Sequence, residues 1–171
     1  MTCSSSKLVA SWLPFAGVVV PSRRPGATAL YPVPVAWSVR TGQLSDIDSV
    51  LRLWVESGAE STHTDDVGGL ATLVTHDPSA LLVAEDEGSI VGSVIAAWDG
   101  WRGSVYRLVV APSHRRLGLG RQLLGEAEAR LSAAGAVRLQ AIVVETEPKA
   151  IGFWRESGWD RQIHRVRFVR G

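Results

Sequence analysis

A basic, glycine-containing segment in the middle of the chain has the residue types of an anion-binding loop. It reads Arg115-Arg116-Leu117-Gly118-Leu119-Gly120-Arg121 and follows an apolar run that ends at Pro112. Two glycines without a Cβ let the backbone approach a ligand closely, and an amphipathic helix is predicted to begin near Leu119. The first amides of a helix have no intrahelical acceptor and lie at the positive end of its dipole. Together with the arginines, they suit a pyrophosphate.

Two familiar pyrophosphate motifs do not match this loop. A dinucleotide fingerprint requires glycine where Leu123 stands, and a P-loop requires Gly-Lys-Ser/Thr, which is absent. The pattern R-x-x-G-x-G from Arg115 to Gly120, directly after a strand ending in Ala111-Pro112, resembles the coenzyme A loop of the GNAT (general N-acetyltransferase) superfamily. The alternative is a solvated, arginine-rich turn before a helix.

Further segments strengthen this resemblance. They are His76-Asp77-Pro78, Leu82-Val83-Ala84-Glu85 and Asp99-Gly100-x-Arg102-Gly103-Ser104-x-Tyr106. Together with the loop, they resemble the YpeA-type small bacterial acetyltransferases within that superfamily. The resemblance covers the chain from about Val39 to its C-terminus.

Hydrophobic periodicity predicts the elements that position the loop. Predicted strands are 37–40, 81–85, 90–98, 104–111, 137–144 and 162–169, and predicted helices are one capped by Ser45, 64–76, 120–134 and one from about 148 to 157. This order resembles the GNAT fold, which implies an α/β (α+β) architecture: a mixed, twisted sheet with helices on both faces. The resemblance also implies that strands 104–111 and 137–144 splay apart into a V.

The resemblance implies how the co-substrate acetyl-CoA is bound. Its pantetheine lies in the V, held by main-chain groups of Leu108, Val109 and Val110, which could otherwise be ordinary buried strand residues. The cradle residues are Arg115, Arg116, Leu117, Gly118, Leu119, Gly120 and Arg121, and Trp154 in the last helix contacts the sulfur or pantetheine.

The catalytic groups are harder to assign. The family commonly has a tyrosine in the last helix, within N-x-x-A-x-x-F-Y-x-x-x-G-F, but this chain has Glu147 and Trp154 at the two polar positions. An indole N–H can donate a hydrogen bond but cannot supply a proton at neutral pH. Glu145 is the first choice for the general base, and Tyr106 could orient the amine or relay a proton. Either could instead be an ordinary strand residue.

The acceptor end of the cleft is expected near Trp101 and Arg102. Arg102 either recognises a carboxylate on the acceptor or pins its turn through Asp99.

Charge is segregated along the 171 residues, although the net charge is only +1. Residues 36–101 hold 2 basic and 11 acidic side chains, whereas residues 102–171 hold 13 and 6. A basic half would attract the polyanionic coenzyme and an acidic half a cationic amine, unless both are merely solvated faces. No nucleic-acid motif is present. One cysteine and four scattered histidines give no metal-ligand spacing, so no metal is predicted.

Residues 1–35 differ from the rest, with five prolines and an apolar run from Leu8 to Val20. The run imitates a secretory signal but is interrupted by Ser11 and Pro14 and is short for a membrane span. We interpret 1–35 as a flexible extension or an upstream start, and 36–171 as a single cytoplasmic domain without a membrane partner. A secreted protein is the weaker alternative, and a homodimer stays open.

These observations predict an N-acetyltransferase in which an amine attacks acetyl-CoA directly in a ternary complex. The acceptor is left open among a protein amine, a polyamine, an amino acid and an aminoglycoside. The alternative is a non-catalytic acyl-CoA-binding module.

Overall fold

In the computed structural model, which describes residues 37–170, one mixed sheet of five strands has the order β1-β2-β3-β4-β5. Strands β1 to β4 are antiparallel neighbours, and β5 runs parallel to β4. The elements are β1 Ser38–Thr41, α1 Ile47–Glu56, α2 Val67–His76, β2 Leu81–Asp86, β3 Ser89–Trp98, β4 Gly103–Val110, α3 Leu119–Ala133, β5 Leu139–Ala141 and α4 Pro148–Glu156. The predicted α/β class is confirmed. The predicted extension 1–35 lies outside the described residues.

The core has two layers, one on each face of the sheet, as predicted. On one face, α3 buries Leu119, Leu123 and Leu131 completely against β2, β3 and β4. On the other face, α1 and α2 bury Val50, Trp54, Leu70 and Val74. None of the helices in the described part of the chain is long and apolar enough to cross a membrane.

The helices on the second face begin at aspartates. A short 3₁₀ turn, Leu44–Asp46, precedes α1 and is closed by the Asp46 carboxylate, which accepts the Gln43 N–H at 2.8 Å. Asp46 is the N-cap residue of α1, so the predicted cap at Ser45 is wrong. Helix α2 begins three residues later than predicted because Asp66 is its N-cap and accepts the Gly69 N–H at 2.6 Å. A hydrogen-bond acceptor at the N-cap satisfies an amide of the first turn that has no acceptor within the helix.

Strand β4 contains a bulge in its second half. Ser93 pairs with Val109 and Ile95 with Tyr106, so two residues of β4, Arg107 and Leu108, stand opposite one residue of β3. Arg107 adopts a left-handed conformation with φ 50°. Such a bulge bends the strand and changes the direction of its side chains.

The predicted V between β4 and β5 is present. Parallel pairing is limited to Gly103–Leu139, Ser104–Gln140 and Val105–Ala141, and the two strands separate beyond it. Strand β5 is therefore shorter than the predicted 137–144, because the bulge diverts β4 from residue 107 onward and leaves 142–144 without a neighbour on that side.

The predicted last strand, 162–169, is wrong. Residues 160–170 carry no strand, and Val166 and Phe168 are 80% and 90% exposed. Its contacts with the rest of the described chain are made where it begins: Trp159 Nε1 donates to Glu128 Oε1 at 2.7 Å, and Arg161 pairs with Glu145. Alternating side chains form a strand only where a neighbouring edge accepts their backbone hydrogen bonds.

Candidate functional site

The start of α3 presents a set of backbone amides at the end of β4. Gly118 is the N-cap residue with φ 95°, a left-handed conformation that glycine adopts without strain. The first amide to enter the helical ladder is that of Gln122, which donates to the Gly118 carbonyl at 3.1 Å. The N–H groups of Leu119, Gly120 and Arg121 precede it in the helix and are therefore outside the ladder.

Two neighbours fix the position of this helix start. A Cβ on Gly120 would lie 3.4 Å from Cε2 of Phe153 in α4 and 3.8 Å from Cγ2 of Val110 in β4. The side chain of Leu119 is fully buried, whereas Leu117 is half exposed. Leu119 therefore anchors the helix with its side chain, and any ligand contact it makes uses its amide.

The three arginines of the loop differ in their surroundings. Arg115 donates from Nε to the Val110 carbonyl at 3.1 Å and from Nη2 to the Ser57 carbonyl at 2.9 Å. Arg116 is exposed with φ 65°, and Arg121 forms an exposed 3.5 Å ion pair with Glu156. Such a pair contributes little and opens readily for an anion, so Arg116 and Arg121 are the cations available at the surface of the loop.

The main chain of Val110 faces the gap between β4 and β5. The Ala111 N–H donates to Val91 in β3 at 2.9 Å, and successive backbone groups of a strand alternate in direction. The N–H and C=O of Val110 therefore point away from β3, towards the side where β5 has already ended. Its carbonyl accepts Arg115, and its N–H is directed into the gap.

The predicted sulfur contact, Trp154, belongs to an aromatic cluster. Its ring centroid lies 4.6 Å from that of Trp159 and 5.8 Å from that of Phe153, both in edge-to-face geometry. Because Phe153 also faces Gly120, this cluster connects α4 to the start of α3.

The two predicted catalytic residues lie in different parts of the V. Tyr106 is the first residue of β4 beyond the last β4–β5 pair and is 39% exposed, which places it at the vertex. Glu145 follows β5 by four residues, and its exposed carboxylate pairs with Arg161. The structure thus brings Glu145 to the C-terminal segment.

The predicted acceptor residues Trp101 and Arg102 lie at the opposite end of β4 from Val110. Because a strand rises about 3.3 Å per residue, they are roughly 20 Å or more from Val110. The Asp99 carboxylate accepts the main-chain N–H groups of Arg102 at 2.6 Å and Trp101 at 2.8 Å, and these hydrogen bonds lower its pKa. The Arg102 guanidinium carbon lies 3.8 Å from the centroid of the exposed Trp101 ring. Arg102 thus contributes to the turn through its amide, while its side chain stacks on Trp101.

Sequence reasoning missed Arg107. Its guanidinium donates to Asp65 Oδ1 at 2.9 Å, to the Glu60 carbonyl at 2.6 Å and to Thr62 Oγ1 at 3.1 Å, and burial lowers its pKa. The available signal was a charged residue inside an otherwise apolar run from Val105 to Val110.

Sequence reasoning also missed the partners of His114, which precedes the loop. Its Nε2 lies 2.9 Å from Asp86 Oδ2, and its Nδ1 lies 2.9 Å from Ser113 Oγ. These contacts hold the turn before the loop against the β2–β3 hairpin. Among residues 37–170, no cluster of three histidine, cysteine or acidic side chains could hold a metal ion.

The gap that opens beyond the last β4–β5 pair thus ends beside the glycine-capped start of α3. A sequence profile described as "Acetyltransferase (GNAT) family" matches residues 47–159. The chain therefore belongs to the GNAT family, and it is an acyltransferase.

Named relatives agree with this assignment. The chain is 35% identical over 124 residues to "Acetyltransferase YE1169" of Yersinia enterocolitica, covering 72% of this chain and 88% of the relative. It is 34% identical over the same shares to an "Uncharacterized N-acetyltransferase" of Yersinia pestis.

Solved structures share the fold. Ard1 from Thermoplasma volcanium matches with a TM-score of 0.66 at 22% identity, over 72% of this chain and 82% of that one. AAC(6')-Iy, in complex with the bisubstrate analog CoA-S-monomethyl-acetylneamine, matches with a TM-score of 0.65 at 15% identity, over 80% and 98%. PaiA N-acetyltransferase from Thermoplasma acidophilum, in complex with coenzyme A, matches with a TM-score of 0.62 at 16% identity, over 71% and 87%.

Proposed function

We propose that the chain is an acetyl-CoA-dependent N-acetyltransferase in which an amine attacks the thioester directly within a ternary complex. One observation carries this proposal: the gap between β4 and β5 opens towards the free amides that begin α3. A pyrophosphate on those amides would let the attached pantetheine enter the gap.

The residues present fit acetyl-CoA as a substrate. The amides of Leu119, Gly120 and Arg121 would hold the pyrophosphate, with Arg116 and Arg121 supplying positive charge. The main chain of Leu108, Val109 and Val110 would pair with pantetheine in place of the missing length of β5. Trp154 would pack near the thiol end.

Acetyl-CoA supplies an activated acetyl group as a thioester. The Val110 N–H is directed into the gap, where it would stabilise the negative charge that develops on the carbonyl oxygen as the amine attacks. The C–S bond then breaks, and the departing thiolate needs one proton. Trp154 cannot supply it, so it comes from the attacking amine or from solvent, with Glu145 or Tyr106 assisting removal of the proton from the amine.

A cationic amine is the acceptor class that the charge distribution favours. Residues 36–101, which form α1, α2 and the first three strands, carry most of the acidic side chains. The acetylneamine-containing analog bound to AAC(6')-Iy makes an aminoglycoside one candidate to include in a screen, beside polyamines and peptide amines. Trp101 and Arg102 are the proposed outer contacts of the acceptor.

The experiment is isothermal titration of acetyl-CoA and desulfo-CoA into the wild type, Gly118→Trp and Gly135→Trp. The two glycines lie at opposite ends of α3, with φ 95° and 97°, and a Cβ on either would meet no heavy atom of the described chain within 4 Å. Both substitutions therefore impose similar backbone strain, but only Gly118→Trp obstructs the helix start. We expect loss of binding in Gly118→Trp alone. A folded wild type that binds neither ligand would contradict the proposal.

The alternative function, a non-catalytic acyl-CoA-binding module, is favoured by two contacts: Trp154 packs on Trp159 in place of a proton donor, and Glu145 pairs with Arg161. Amine-dependent release of CoA distinguishes the two. An enzyme releases CoA faster with at least one amine, whereas a binding module does so with none.

We also propose that the protein acts in the cytoplasm, where acetyl-CoA is available, and a homodimer is the assembly to test for. Light scattering on the full chain tests the dimer, and fractionation of the native host tests the location.

A further inference from the structure

The loop that leads into α3 has an exposed centre between two anchored ends. Residues 115–118 are exposed, whereas His114 is half-buried and Leu119 is fully buried. Arg115 ties the loop to the end of α1 through the Ser57 carbonyl, on the face of the sheet that α1 covers. On the face that α3 covers, the loop is held by a different set of side chains, which begins with Trp37.

Trp37, the residue before β1, contacts both ends of this loop. Its Nε1 donates to Gln122 Oε1, in the first turn of α3, at 2.7 Å. Its ring packs edge-to-face against the His114 ring, with 6.3 Å between the two centroids. The side chain also packs against the core cluster under α3. Trp37 therefore joins the residue directly before loop 115–121 to the residue directly after it.

His114 is held in addition by Asp86, at the end of β2. Its Nε2 lies 2.9 Å from Asp86 Oδ2, and Nε2 is the donor because an ionised carboxylate can only accept. The two side chains are 16% and 24% exposed, so the contact is partly shielded from solvent. Ser38 pairs with Glu85, and extension of this register by one residue places Trp37 opposite Asp86. The adjacent ends of β1 and β2 thus hold His114 together.

This arrangement bears on the cost of binding a pyrophosphate. The amides of Leu119, Gly120 and Arg121 converge on one ligand only if the helix start and the turn before it keep a fixed separation. A loop that is ordered before the ligand arrives loses less conformational entropy when the ligand binds. If the two ends of the loop were not joined, the coenzyme itself would have to order them.

We propose that Trp37 and His114 are positioning residues for the coenzyme, which hold the two ends of loop 115–121 at the separation that a bound pyrophosphate requires. This inference rests on the proposed function. Trp37 acts through Gln122 and His114, and His114 acts through its contact with Asp86. Both residues contribute to the affinity for acetyl-CoA and leave the chemical step unchanged.

A double-mutant cycle tests the contact between Trp37 and Gln122. Trp37→Phe loses the indole N–H but keeps a ring beside His114, and Gln122→Met loses the acceptor but keeps a side chain of similar length. We expect each to raise the acetyl-CoA Kd about fivefold, the scale of one hydrogen bond. The double variant should bind no more weakly than the weaker single variant. Hydrogen exchange of the Gln122 amide, which donates to the Gly118 carbonyl, should accelerate in the unliganded variants.

Two substitutions of Asp86 separate positioning from charge. If only charge mattered, removal of a carboxylate near an anion site would strengthen binding of the anion. Asp86→Ala, which releases His114, should instead raise the acetyl-CoA Kd about fivefold. Asp86→Asn keeps an acceptor for Nε2 and should bind acetyl-CoA at least as tightly as the wild type. A general loss of stability would not produce this difference between the two variants.

Glu128→Met is the matched control. Glu128 Oε1 accepts Trp159 Nε1 at 2.7 Å, a contact of the same type and length on α3. It lies about 9 Å further along the helix than Gln122, at a rise of about 1.5 Å per residue. Glu128→Met should lower the melting temperature while leaving the acetyl-CoA Kd within twofold. With an amine that is turned over, kcat at saturating acetyl-CoA should stay within twofold in every variant.

The outcomes separate this inference from the function on which it rests. If the wild type binds acetyl-CoA, and Trp37→Phe, Gln122→Met and Asp86→Ala bind it as Glu128→Met does, the positioning role is wrong and the proposed function stands. Additive effects in the cycle, or a change confined to kcat, also overturn it. Gln122 is exposed, so its variant keeps the test available if Trp37→Phe does not fold. If the folded wild type binds no acetyl-CoA, the proposed function fails and the inference fails with it.

Discussion

The side chain of Arg115 donates a 3.1 Å hydrogen bond to the carbonyl of Val110, the last residue of β4. Its Nη2 also donates to the carbonyl of Ser57, at the end of α1, at 2.9 Å. The first arginine of R-x-x-G-x-G therefore connects two main-chain carbonyls in this structure. Its effect on coenzyme binding is expected to pass through the position of the Val110 main chain.

Replacement of Arg115 by lysine and by methionine separates that role from direct pairing with phosphate. A lysine keeps the charge but cannot bridge two carbonyls with fixed geometry. We expect both variants to weaken acetyl-CoA binding equally, by roughly tenfold, which corresponds to about 1.4 kcal/mol. Titration calorimetry measures this. A lysine variant that binds like the wild type would show that charge alone matters.

Glu145→Gln tests the proposed general base. If the carboxylate assists removal of the amine proton, its loss should lower kcat by roughly 100-fold with little change in the acetyl-CoA Kd. Arg161→Met should change kcat less than threefold, because an exposed ion pair contributes only about 0–1 kcal/mol and does not withhold the carboxylate. An unchanged kcat in Glu145→Gln would contradict the role of Glu145 and leave Tyr106 as the candidate that assists removal of the amine proton.

Trp154→Tyr tests whether this site lacks a proton donor. The substitution introduces a phenolic hydroxyl at this position and loses part of the contact with Trp159. Trp154→Phe loses the same contact without adding a hydroxyl, so the ratio of the two kcat values isolates the phenol. We expect a ratio above about ten, within the range of general acid catalysis. A ratio of one would mean that thiolate protonation does not limit the reaction.

Asp46 makes the stability of the domain depend on pH. Its carboxylate accepts Arg40 Nη1 at 2.7 Å and Nη2 at 3.0 Å, and these hydrogen bonds hold the pKa of Asp46 below its ordinary value of 3.8. The stabilisation is therefore fully present above that ordinary value and is lost as the pH falls through the lower value of the folded state.

Asp46→Asn should lower the free energy of unfolding by about 1–2 kcal/mol at pH 7. The difference from the wild type should shrink below about pH 4. Urea unfolding at several pH values measures both, with the exposed Asp48→Asn as the control. A difference that stays constant down to pH 2 would refute the assignment.

The sequence alone predicted those parts of the fold that depend on local pattern. Apolar spacing located α1, α2, α3 and the β2–β3 hairpin to within a few residues, because each buries one face against the same sheet. The start of α3 at a glycine could also be predicted from the sequence, because few residues other than glycine adopt the left-handed conformation of the N-cap Gly118.

Apart from the two helix starts, the errors came where an element depends on a neighbour. The alternation of residues 162–169 predicts a strand, but a strand exists only if another edge accepts its hydrogen bonds. Strand β5 likewise ended at Ala141 because its partner turns away, a fact that its own residues do not contain.

Sequence by itself therefore determined the family, the order of elements and the loop at the start of α3, because these follow from contacts close in the chain or from a contiguous motif. The tertiary structure alone decided that Arg107 reaches Asp65, 42 residues away, and that Glu145 meets Arg161. Hydrophobic periodicity predicts the face of an element on which a side chain lies. The residue that this side chain contacts depends on how a bulge redirects the backbone and on which loop packs against that face.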